Sequence, residues 1–104
     1  MNSVNKVTLE NCLYVLDNHI LNDINLINES DFGDLFTFIN NEIKKVEYHK
    51  LNSILNNFRY KQYDFFCDTD RALLKGSLLA LKKEINNYLN KQNNKPIKLA
   101  ILEE

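Results

Sequence analysis

The sequence predicts an all-α protein, a small antiparallel bundle of three or four helices with an apolar C-terminal tail. Three observations predict it. Apolar residues recur at steps of three and four along most of the chain, the period of one helix face. Only two Gly and one Pro occur in 104 residues, too few to turn the corners of a β-sandwich or barrel. With 44% hydrophobic residues, the chain is long enough for one core and too short for two. Residues 1–104 are therefore read as a single helical domain.

The first helix is expected over about residues 8–28. Leu9, Leu13, Leu16, Ile20, Ile24 and Ile27 form its apolar stripe, widened by Cys12 and Leu21. Its other face is acidic, with Glu10, Asp17, Asp23 and Glu29 against Lys6 alone. Ser30 or Asp31 is read as the cap of a second helical segment. This segment spans about 31–66 and carries Phe32, Leu35, Phe36, Ile39, Ile43 and Val46. The phase then jumps to a new stripe of Leu51, Ile54, Leu55 and Phe58. No Gly or Pro marks the jump, so one bent helix and two helices meeting near residue 49 both fit.

The last helix is expected over about 69–92, capped by Asp68 or Thr69. Leu74, Leu78, Leu81, Ile85 and Tyr88 give the strongest periodic signal in the chain. Leu78, Leu81 and Ile85 are expected to face Leu13, Leu16 and Ile20. The basic excess of this end complements the acidic first helix, which favours packing the two antiparallel. Asn93-Asn94-Lys95-Pro96 is read as the stop. The tail, 93–104, alternates apolar residues at 97, 99 and 101. It is expected to pack on the bundle as loose chain or a short helix, with pairing to a partner's sheet edge as the alternative.

Composition narrows the function classes. A formal net charge of -1 lacks the cationic excess that non-specific phosphate binding needs. Seventeen Asn, and eleven Lys against two Arg, fit a low-GC bacterial origin or its mobile elements. Cys12 and Cys67 lie in apolar helical patterns without a secretory segment before them, so both are expected as unpaired thiols in a cytoplasmic protein. No stretch approaches the ~18 apolar residues of a membrane span.

No catalytic, cofactor-binding or metal constellation is visible. His19 and His49 have no recognisable nucleophile motif, and Lys75-Gly76-Ser77 is not a phosphate loop. Asp64, Asp68 and Asp70 read as helix-start residues before they read as metal ligands. Ala72, Gly76 and Ala80 share one helix face, and Gly76 is expected at an interface, most simply beneath a core aromatic such as Phe36. Residues 58–68 hold five of the eleven aromatics, more than one helix face buries. Arg59, Tyr60, Lys61, Tyr63 and Asp64 are therefore the candidate protein-binding residues, since Tyr and Arg anchor many interfaces. The rival reading makes the cluster an end cap of the core.

In size and helical content the chain is similar to the small immunity proteins that protect bacteria from their own bacteriocins, and to phage and plasmid proteins that inhibit a host factor. No motif carries either resemblance. The expectation is a non-enzymatic inhibitor or regulator that binds another protein, with bacteriocin immunity and nucleic-acid-binding regulation as the alternatives. A homodimer is left open.

Overall fold

The computed structural model describes the backbone of residues 3–103 and the side chains of residues 4–91. Four helices run up, down, up and down: α1 (Ser3–Val15), α2 (Glu29–Lys44), α3 (His49–Asn57) and α4 (Asp68–Glu103). Among the described residues there is no strand. Cross-chain contacts fix the directions. Asp17 pairs with Lys82 at 2.8 Å, while Ile24 and Ile27 meet Arg71 further along, so α1 and α4 are antiparallel. Tyr48 meets Tyr88 and Tyr63 meets Ser77, which makes α3 and α4 antiparallel as well.

α1 does not continue as a regular helix to residue 28. A wide π-helical turn, Leu16–Ile20, and a 3₁₀ turn, Leu21–Asp23, follow it. The buried set explains why. Cys12, Leu16, Ile20 and Ile24 are all buried and lie four apart. Four-residue steps drift by roughly 40° each in an α-helix, so Ile24 would turn about 120° away from Cys12. A π turn absorbs one extra residue and returns Ile20 and Ile24 to the core. Cys12, not Leu13, is the fully buried member of that turn.

Asn28 caps α2 through its Oδ1, which accepts the Asp31 N–H at 2.7 Å. The cap thus precedes the expected Ser30 or Asp31, because those acidic and polar residues sit in the first turn, where Glu29 and Asp31 meet the positive end of the dipole. Phe32, Phe36, Ile39 and Ile43 form the buried stripe of α2. The middle segment then breaks at residues 45–48. Glu47 takes the left-handed conformation, φ 59°, a role usually given to Gly, and for that reason no Gly marks the break. α3 buries Leu51 and Leu55 and ends at Asn57, where Phe58 turns extended. Residues 58–67 are thus a loop with one 3₁₀ turn, Tyr60–Gln62, and not the end of a helix.

α4 buries Leu74, Leu78, Leu81, Ile85 and Leu89, with Tyr88 half-buried beside Tyr48 at a centroid distance of 4.4 Å. Its backbone stays helical through Pro96 to Glu103, beyond the expected stop. One proline removes a single ladder bond at about 3 kcal/mol, and Ile97, Ala100 and Ile101 repeat at helical spacing, so the alternation at 97, 99 and 101 does not mark a strand. What the tail's side chains pack against lies outside the described residues. Gly76 is not beneath Phe36. It is exposed, and nothing lies within 4 Å of a Cβ built on it, whereas Phe36 stacks on Phe58 at 4.7 Å.

Both thiols are free, with Cys12 buried and Cys67 half-buried. Burial, helped by the Glu42 carboxylate, pushes the Cys12 thiol up to about 12. Burial, then the Glu84 carboxylate that accepts its hydroxyl at 3.3 Å, also raises the Tyr48 phenol. A thiol whose pKa is higher folded than unfolded contributes stability below the unfolded value of 9.0 and loses it as pH climbs towards 12. The slope of unfolding free energy against pH between 9 and 11 should therefore be shallower in Cys12→Ala than in the parent. Equal slopes would show that the thiol is not the titrating group.

Candidate protein-binding site

The up-and-down topology brings the α1–α2 turn and the 58–67 loop to the same end of the bundle. Aromatic packing fixes the loop. The Tyr60 ring lies 5.1 Å from Phe32 and 5.8 Å from Phe36, and its hydroxyl would stand 2.8 Å from a Cβ at Gly33. Gly33 is needed there for close approach. Tyr63 is half-buried with its hydroxyl 3.3 Å from Ser77 Oγ. Phe65 is buried edge-on to Phe32 at 5.5 Å.

The predicted binding residues therefore divide. Tyr60 and Tyr63 contribute mainly to the end cap of the core. Arg59, Lys61 and Asp64 are exposed. Arg59 donates to the Asn56 carbonyl at 2.6 Å, and together with Tyr63, Ser77 and Ala80 it lines an open groove of about 300 Å³ beside α4. Asp64 serves its own loop: its Oδ1 accepts the Phe66 N–H at 2.9 Å, and its N–H donates to Asp70 at 2.7 Å. Asp64 and Asp70 thus hold backbone donors, and among the described residues no three His, Cys, Asp or Glu side chains converge as metal ligands.

Two residues outside that prediction stand out. Phe66 is 98% exposed and Leu26 is 82% exposed, and both line one cavity of about 240 Å³ with Asn28, Glu29, Asp64, Phe65 and Arg71. Phe65 and Phe66 are the central pair of a turn closed by the Cys67 N–H on the Asp64 carbonyl at 3.0 Å. The turn commits Phe65 to the core and leaves Phe66 facing out. The Phe65-Phe66 pair carried that signal in the sequence, but only the loop's backbone says which ring is inside.

Arg71 builds the wall of the cavity. Its Nε donates to the Phe65 carbonyl at 2.5 Å, and its Nη1 to the carbonyls of Ile24 at 2.8 Å and Ile27 at 2.9 Å. The guanidinium also lies 5.5 Å from the centre of the Phe65 ring, a cation–π arrangement. A neighbouring open groove of about 310 Å³ is lined by His19, Asp23, Asp31 and Asp34, so the surface around the α1–α2 turn is strongly acidic. His19 stacks edge-on against Tyr14 at 5.8 Å.

The chain matches no family model, and no curated protein or solved structure is significantly similar to it. The site is accordingly read from its own geometry.

Arg71→Lys keeps the charge, but one ammonium cannot reproduce a fork that reaches three carbonyls. The substitution should lower the unfolding free energy by on the order of 2 kcal/mol in denaturant titration. Tyr60→Ala should cost about as much or more by emptying part of the aromatic cap, whereas Arg59→Ala and Lys61→Ala should stay within about 0.5 kcal/mol of the parent. A Tyr60→Ala variant as stable as the parent would show that the ring is not part of the core.

Proposed function

We propose that this chain is a non-enzymatic protein-binding module, an inhibitor or regulator that acts by occupying a partner. One observation carries the reading: two large apolar side chains, Leu26 and Phe66, are 82% and 98% exposed and line one cavity whose backbone is held by Arg71. Exposed apolar pairs around a concave site mark interaction surfaces, and rigid aromatic anchors lose little entropy on binding. The rim chemistry indicates the partner's character. Glu29 and Asp64 stand on the cavity, and Asp23, Asp31 and Asp34 on the adjoining groove. An apolar anchor flanked by Lys or Arg complements this surface. The same acidic field repels phosphate, which weakens the nucleic-acid alternative. Among the described residues, no helix is long and apolar enough to cross a membrane. Arg59 and Lys61 on the same loop would contribute at the periphery of such an interface.

Phe66→Ser and Leu26→Ser should each leave thermal unfolding nearly unchanged, because both side chains are exposed. Each should weaken the complex with a partner isolated from the source cell by about tenfold or more, as loss of an anchor commonly does. Arg59→Ala should weaken it less. Binding unaffected by both serine variants, or reduced only in step with thermal stability, would refute the assignment.

A further inference from the structure

We propose that α4 carries a second interaction surface whose occupant is another copy of this chain, paired antiparallel about Gly76. The proposal rests on residues other than those at the Leu26–Phe66 cavity and stands or falls separately from it.

The face of α4 opposite its core stripe is apolar over three turns. Ala72, Gly76 and Ala80 are exposed there, flanked by Leu73, 58% exposed, and Leu79, 44% exposed. Glycine inside a helix costs about 1 kcal/mol relative to alanine, and within the chain nothing offsets it, since no atom lies within 4 Å of a Cβ at 76. Removing that Cβ permits only one thing there, the close approach of something from outside.

The order of residues selects a second copy. Counting outward from Gly76, Leu73 and Leu79 stand three residues away on either side, and Ala72 and Ala80 four. A two-fold axis at Gly76 therefore sets Leu73 level with Leu79 of the second copy and packs it on Ala80 of the second copy, with Ala72 under Leu79 of the second copy, twice over. Such self-complementarity is what an isologous contact requires. The charges agree with the antiparallel direction. The first turn of α4 is acidic, with Asp68 and Asp70, and six to seven residues beyond the axis stand Lys82 and Lys83. Antiparallel pairing lays the acidic end of each copy over the basic stretch of the other. Parallel pairing would put acid on acid. Lys82 is held by Asp17, which leaves exposed Lys83 as the residue that reaches across to exposed Asp68. A three-turn face is small beside the roughly 1,200–2,000 Å² of stable interfaces, so the dimer forms and dissociates with concentration.

Sedimentation equilibrium over micromolar to millimolar concentrations tests this. The parent should show a reversible monomer–dimer equilibrium. Gly76→Glu places two carboxylates on the axis without an intrachain clash and should weaken dimerisation by about tenfold or more while helical content and thermal unfolding are retained. Phe66→Ser should leave the dimer intact. Orientation is read by cross-linking in a Cys67→Ser background: Leu73→Cys mixed with Leu79→Cys should give mixed disulfides well in excess of either variant oxidised alone. A parent that is monomeric at every concentration, a Gly76→Glu variant that dimerises like the parent, or self-cross-links of each variant that equal the mixed ones would each overturn the proposal.

Discussion

The architecture depends on how the carbonyls of the α1–α2 turn are satisfied. Turn carbonyls have no regular ladder partner, and burying them unpaired is expensive. Here the chain after α1 turns inward on Ile24 and Ile27, whose side chains are buried, so their carbonyls are drawn against α4. Arg71 meets both with one nitrogen and uses another for Phe65. The same guanidinium thereby fastens the α1–α2 turn, the α3–α4 loop and the first turn of α4. Leu26 and Phe66 are presented by segments that would otherwise be independent loops.

Around that tie the aromatic residues divide by backbone geometry. Phe32 and Phe36 stack at 5.6 Å along α2, Phe58 and Tyr60 cover them from the loop, and Phe65 closes the end. A helix presenting all of residues 58–66 could not place so many rings on one side; a loop with a 3₁₀ turn can. The opposite end of the bundle is more polar, with Tyr48 tilted against Tyr88 and donating its hydroxyl to Glu84. This asymmetry, with a rigid aromatic end and a polar end, explains why the cavity and the exposed apolar pair lie where they do.

The all-α bundle was legible because burial follows period, with three and four helices both left open. The stripes of α2 and α4 could be read residue by residue, with Leu89 joining Leu74, Leu78, Leu81 and Ile85. The boundaries were harder where local chemistry substitutes for the usual signals. Glu47 takes a left-handed turn that glycine would have announced, Asn28 caps from an unremarkable asparagine-rich stretch, and the helix passes through Pro96. The sequence pointed to the 58–67 loop as a candidate binding region, but not to which of its side chains face in and which face out. Tyr60 and Tyr63 carry the residue types of hot spots, yet Gly33 and Ser77 draw them inward, and these neighbours are distant in sequence. Arg71 carries no signal in the sequence for the same reason, since two of its partners lie 44 and 47 residues away.

The wide turn at Leu16–Ile20 has a consequence for how the chain can vary in length. It accommodates a single residue more than a continuous α-helix needs to keep Cys12, Leu16, Ile20 and Ile24 on one side. A sequence lacking one residue among Asp17, Asn18 and His19 would bring the same four apolar side chains to the core on an unbroken helix. A sequence gaining one there would rotate everything after it away. Single deletions and single insertions at this point are thus unequal events.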